Sequence, residues 1–200
     1  GGYRRINGFS KYVSAVVPYT SSASEKVLMV ATFGDLVVAA RGTSIYSATA
    51  GGSSWTSRDS GRTSAGKYNF ERYNFDGNSK LIVVDGANAP TFFNTAMSAT
   101  DVSNSDVAGS KFVTAFKSHM FYAGKSTTPQ TLVFSQPFDE DAFGSGAGSI
   151  KVDDTITGLK VFRDNLFIFC ENRIFKLSGS TSSDFAISAV TRDIGCINGD

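Results

Sequence analysis

Two hundred residues with 41% apolar side chains can close a sizeable core, so disorder is a poor account of the chain and one domain over residues 1–200 is expected. Nineteen Lys and Arg against eighteen Asp and Glu leave a formal net charge of +1, which gives no reason to expect nucleic acid or a membrane surface as the main partner. Seventeen Phe, seven Tyr and twenty Gly with only 18% charged residues favour short strands and tight turns, hence an all-β chain.

In chain order, a strand is expected over residues 26–32. It is followed by a turn at Gly34-Asp35, an apolar run from Leu36 to Ala40, a break at Arg41-Gly42-Thr43 and a second run ending at Tyr46. The same phrase returns three times. Residues 68–74 precede a turn at Asp76-Gly77-Asn78, the run Leu81 to Val84, the break Asp85-Gly86 and Thr91 to Asn94. Residues 112–116 precede Met120 to Ala123, Gly124-Lys125 and Leu132 to Ser135. Residues 159–162 precede Arg163-Asp164-Asn165, Leu166 to Phe169, Glu171-Asn172 and Arg173 to Leu177, with a further strand near residues 185–190.

The anchors Leu36, Leu81, Met120 and Leu166 stand 45, 39 and 46 positions apart. That period fits the blade of a β-propeller, roughly 40–50 residues, better than shorter helical or leucine-rich repeats. The first run of each phrase is almost wholly apolar, as for an inner strand covered on both sides by neighbouring blades. The expected fold is therefore a β-propeller of short antiparallel blades, about four of them in this chain, with further blades outside it left open. A β-sandwich is the alternative, since it too strings short strands between turns, but its strands need not repeat. The long turn-like stretches 48–66, 96–110 and 136–149 are expected to be surface loops and interaction surfaces. A start at Gly1-Gly2 and an end at Gly199-Asp200 suggest a piece of a longer polypeptide.

No motif carries chemistry. Gly124-Lys125-Ser126 resembles the end of a phosphate-binding loop, but His119 stands where the first Gly is needed and Pro129 blocks the following helix. His119 is the only histidine, and a strand-edge position suits it better than a triad. Asp139-Glu140-Asp141 and Asp153-Asp154 lack the calcium-loop spacing. Cys170 sits in an apolar run and Cys196 near the end, with no zinc spacing; one disulfide is open to them, but a buried thiol in a reduced cytoplasm is the plainer reading. No cofactor, no metal and no enzymatic activity are expected. The apolar stretches are strand-sized, so no membrane-spanning helix is expected. The halves 1–80 and 81–200 carry +5 and −4, an asymmetry open to head-to-tail packing between copies, although scatter among solvated loops is the plainer reading.

Ser57-Arg58-Asp59-Ser60-Gly61-Arg62-Thr63-Ser64 resembles the Asp box of sialidase-type propellers, with Ser64 in place of its Trp. An overlapping frame over residues 48–55 keeps Gly52 and Trp55 but lacks the Ser and Asp. In that family the box is a structural turn between the third and fourth strands of a blade, so it bears on fold and not on catalysis. The opening Gly2-Tyr3-Arg4-Arg5-Ile6-Asn7-Gly8-Phe9-Ser10-Lys11-Tyr12 resembles a basic phrase found early in propeller-bearing structural proteins of bacteriophage virions. Residues 116–124, 132–137 with Phe143, and 156–177 with Gly195-Cys196-Ile197 resemble later blades of the same proteins.

That resemblance implies a non-enzymatic virion component of the tail nozzle or neck type, assembled in the host bacterial cytoplasm. Its implied partners are other copies in a ring and adjacent tail or neck proteins, with DNA contact open but not indicated by charge. Trp55, Arg58, Arg62, Asp139, Glu140 and Asp141 are the candidate interaction residues. The alternative function is a carbohydrate-binding or sialidase-like propeller acting in receptor recognition.

Overall fold

A computed structural model describes residues 10–64 and 66–197, so most of the opening basic phrase and the terminal Gly199-Asp200 lie outside the described residues. Among the described residues, sixteen strands form four sheets of four, each an antiparallel meander in chain order. The first sheet is β1 (Val27–Phe33), β2 (Leu36–Arg41), β3 (Ser44–Thr49) and β4 (Thr56–Asp59). The second is β5 (Asn69–Phe75), β6 (Asn78–Val84), β7 (Thr91–Phe93) and β8 (Ala99–Asp101). The third is β9 (Phe112–Phe116), β10 (His119–Ala123), β11 (Thr131–Phe134) and β12 (Gly148–Lys151). The fourth is β13 (Ile156–Phe162), β14 (Asn165–Cys170), β15 (Ile174–Ser178) and β16 (Ala186–Thr191).

Strand pairing stays within each sheet, and the sheets meet through side chains with isolated backbone hydrogen bonds such as that from the Tyr68 N–H to the Leu28 carbonyl, which is blade geometry and not the two shared sheets of a sandwich. The first strands of successive blades lie side by side, β5 against β9 and β9 against β13, so they form the inner edge of an arc. The core occurs in three layers, one per blade junction. Val38 and Ala40 of β2 meet Leu81 and Val83 of β6; Ile82 and Val84 of β6 meet Met120 and Tyr122 of β10; Phe121 and Ala123 of β10 meet Leu166, Ile168 and Cys170 of β14. Because successive strand residues point to opposite faces, an unbroken apolar run is what a strand covered on both sides requires. In the second, third and fourth blades the strand with the longest buried run or alternation is the second, one step out from the inner edge, while in the first blade β3 is as enclosed as β2.

The stretches 48–66, 96–110 and 136–149 are only partly loop. They contain β4, β8 and the start of β12, the rim strands, whose Thr-Ser-Arg-Asp, Ala-Thr-Asp and Gly-Ser-Ile-Lys sequences carry little apolar signal because the rim is barely covered. Only β16, which follows Phe185, is apolar enough to be legible.

The turns between first and second strands are two-residue hairpins. Asp76-Gly77, Lys117-Ser118 and Arg163-Asp164 hold both central residues at positive φ, the mirror-image turn that matches strand twist. Ser118 at φ 63° has no glycine freedom, and a left-handed residue with a Cβ costs roughly 1–2 kcal/mol. Ser118→Gly removes that cost and adds about 0.5–1 kcal/mol of unfolded-chain entropy loss. A net gain of about 0.5–1 kcal/mol is expected, read as a rise of about 1–4 °C in melting temperature by calorimetry; no rise, or a fall, would show that the turn is unstrained.

Candidate functional site

The conspicuous charged groups lie at the ends of the blade junctions. Arg62 follows β4 and turns into the gap between the first two blades, where its side chain is 4% exposed against 0% for that of Asp85. All five of its N–H groups are used. Nε donates to the Tyr68 hydroxyl at 3.0 Å, one terminal nitrogen donates to Asp59 at 2.7 Å and Thr91 at 2.6 Å, and the other to Asp85 at 3.0 Å and the Ala89 carbonyl at 3.4 Å. Burial opposes the charge of Arg62, but Tyr68 and the carboxylates of Asp59 and Asp85 more than offset it and hold the guanidinium above its ordinary value.

Asp85 begins the turn after β6, and it also accepts from the backbone N–H groups of Ala87 and Asn88 and from the Asn88 amide. Burial pushes its carboxyl up, yet these donors and Arg62 hold it below its ordinary value. Burial pushes the Tyr68 phenol up to about 12, against the pull of Arg62. The cluster is therefore a charged staple between blades.

The second junction has its own. Glu140, on the β11–β12 connection, is 1% exposed and pairs with Lys80 of β6, whose ammonium also lies 4.7 Å from the Phe92 ring centroid. The Glu140 carbonyl accepts the Tyr122 hydroxyl at 2.7 Å, and Asp141 accepts the Ser103 N–H at 2.7 Å. Burial and then the Glu140 carboxylate push the Tyr73 phenol above its ordinary value.

The six candidate interaction residues separate accordingly. Arg62 and Glu140 are interior and bridge blades, so neither presents its charge to an outside partner. Asp139 is exposed and accepts the Asp141 N–H; Asp141 is half-buried and tied to Ser103. Arg58 donates to Ser47 at 2.8 Å on its own sheet, and Trp55 donates through Nε1 to the Ala15 carbonyl at 3.0 Å. Only Asp139 retains a largely free surface position.

The other motifs resolve similarly. Ser57 to Asp59 lie in β4 and Gly61 to Ser64 beyond it, so that segment is not the third-to-fourth-strand turn of an Asp box; the frame over residues 48–55, with Gly52 and Trp55, occupies that turn instead. His119 is buried among Phe121, Phe134 and Phe185, with Nδ1 2.7 Å from the Ser135 carbonyl. Gly124 is held at φ 78° where a Cβ would meet the Phe112 ring at 2.7 Å, a packing requirement. Asp154 accepts the N–H groups of Thr155 and Asn172, and Asp153 pairs with Arg173. No group of three or more His, Cys, Asp or Glu able to hold a metal occurs among the described residues. Cys170 is a buried free thiol, pushed up to about 12 by burial and then by Asp154 and Asp153; Cys196 is exposed and free.

Sequence reasoning missed Arg41. It is buried under residues 17–25, donating to the carbonyls of Val17, Ala23 and Glu25, and so fastens that strap over the outer face of the first blade. An Arg closing an apolar strand run was the available signal. A concavity of about 670 Å³ opens between the inner hairpins of the first two blades, with Phe33, Leu36 and Tyr73 beside Arg72, Lys80 and Asp35.

No family model and no curated protein matches the chain. Among solved structures it is similar to the extracellular domain of a putative one-component system, BT4673, from B. thetaiotaomicron, with a TM-score of 0.58 and 9% identity over 86% of this chain and 22% of that one. It is similar to the N-terminal domain of Nup159 (TM-score 0.55, 8% identity, 82% of this chain, 47% of that one) and to BBS1N in complex with ARL6DN (0.54, 12%, 80% and 50%). The chain thus spans about a fifth of the first and about half of the others. At such identities the likeness is one of fold, and the class is an all-β, β-propeller-like domain built here from four blades.

Two expectations follow from the staple. Arg62→Ala leaves Asp85 buried without its cation, so a loss of about 3 kcal/mol is expected in urea unfolding, and Arg62→Lys should recover little because one ammonium cannot reach five acceptors. Unchanged midpoints in both variants would show the cluster to be energetically idle. Because the Asp85 carboxyl is depressed in the fold, the unfolded chain binds its proton first. Its contribution is complete above the unfolded value of about 3.9 and is lost as pH falls through the lower folded value. Asp85→Asn should therefore flatten the dependence of unfolding free energy on pH below about 4, and an unaltered slope would remove Asp85 from the acid response.

Proposed function

We propose that this chain is a non-enzymatic platform of a bacteriophage particle, placed in the tail or neck, where blade surfaces and loops hold other copies and adjacent virion proteins. The observation that carries the platform reading is the use made of the reactive side chains: Arg62, Glu140 and His119 are each enclosed and occupied in joining or packing blades. Side chains so committed stiffen an arc and are not presented to a substrate, and a stiff arc with polar rim loops suits recognition by surface area. Solved structures of similar fold include assemblies, one of S. cerevisiae Dbp5 bound to Nup159 and Gle1 and one of BBS1N with ARL6DN. The virion placement is supported by the sequence resemblance of residues 2–12, 116–137 and 156–177 to phage propeller proteins.

The groove beside Arg72 and Lys80 is what a carbohydrate-recognising propeller would use, because it combines an apolar floor with convergent polar groups. Quantitative mass spectrometry of purified particles separates the two readings. The chain should be present in a fixed ring multiple relative to the tail proteins, and an array of host glycans should show no specific binding. Absence from particles overturns the virion placement; specific glycan binding abolished by Arg72→Ala overturns the purely architectural role.

A further inference from the structure

The four blades end differently. At the first, the outer face of β2 is closed by the strap, and Ala39 beneath it is fully buried. At the fourth, the face turned away from the third blade is bare among the described residues. The residues of the second strands that face the next blade are Val38 and Ala40, then Ile82 and Val84, then Phe121 and Ala123, all between 0% and 2% exposed. Their equivalents in β14 are Phe167 and Phe169, which remain half-buried. Around them on the same face, Phe162 is 58% exposed and packs on Phe167, while Ile174 lies in register with Phe169. A strand with the apolar-on-both-faces pattern of β6 and β10 is covered on one side only.

We propose that this face of the fourth blade is a docking surface for a fifth four-stranded blade of the same build, supplied by further residues of the same polypeptide. Two observations choose that occupant over a second copy of the arc. The end of the arc that a head-to-tail copy would offer is already sealed by the strap. A face-to-face copy would bring two Lys176 side chains together, because Lys176 is paired with Phe167 at the centre of the face, and like charges opposed in a partly dry interface are unfavourable. The similar solved structures agree in kind, since at matching coverage the Nup159 and BBS1N chains run on for about as many residues again. The first two junctions each combine an apolar layer with a buried cross-blade ion pair, and the third adds the exposed pair of Lys117 and Asp164. The arriving blade is accordingly expected to present an apolar face with a carboxylate near Lys176.

Thiol accessibility tests the proposal. Phe167→Cys, and Lys176→Cys as a second probe that leaves the aromatic layer intact, are each made with Cys196→Ser, and maleimide labelling rates are measured in the 200-residue chain and in the polypeptide as isolated from its source. Fast labelling of the 200-residue chain is expected, with at least 100-fold slower labelling in the isolated polypeptide at every protein concentration. Equal rates in the two, or protection already present in the 200-residue chain, would overturn the proposal. Protection that strengthens with protein concentration would replace the fifth blade with a second copy.

Discussion

Every blade of this protein depends on the covering of its second strand. Leu81, Ile82, Val83 and Val84 of β6 alternate between two core layers and are all but fully buried, and burial of such side chains contributes about 1.5–3 kcal/mol each. A single four-stranded sheet shelters neither of its faces from water, so no blade here is an independent folding unit. Stability is shared at junctions, and the backbone meander follows from the need to bring the next sheet onto the face just exposed.

That requirement also explains where the charges went. The apolar layer fills the middle of each junction, but its ends are formed by connections whose polar groups must find partners once the blades close. Arg62 meets this need at one end of the first junction by dividing five donors among Tyr68, Asp59, Thr91, Asp85 and Ala89. Lys80 and Glu140 meet it at the second junction. Such pairs add little net stability over an apolar filling, but breaking one leaves a buried charge, so they penalise any misplacement of a blade.

The fold was legible because its determinants are local and repeated: an apolar run flanked by turn residues, returning at blade length. Strands β1, β2, β5, β6, β9, β10 and β14 announce themselves in this way. The rim strands do not, because Thr56–Asp59 and Ala99–Asp101 pair through backbone atoms while their side chains face solvent. The roles of Arg62 and Glu140 were hidden for a different reason. Polar loop sequence has the same composition whether it faces water or folds back into a junction, and the partners of Arg62 stand as far as 29 positions away, those of Glu140 60. Cys170, by contrast, occupies the interior position that its apolar run implies, whereas His119, expected at a strand edge, begins β10 buried among three Phe rings.

The strap bears on how the arc is limited. Arg41 closes a strand whose outward face would otherwise resemble that of β14, and it does so by donating to three carbonyls of a segment with no regular structure. A segment bound through backbone oxygens can seal a sheet without supplying its own apolar layer, which suits a boundary. Glu25 strengthens it: its carboxylate accepts the Ser21 hydroxyl and N–H and the Thr20 N–H, which holds its pKa at about 2 and leaves it charged through the physiological range. The first blade is therefore finished by polar contacts to irregular chain, whereas the fourth still shows aromatic rings of the kind that elsewhere in the molecule lie against another sheet. The polarity of the arc is built into its two ends, one closed by irregular chain and the other showing half-buried rings.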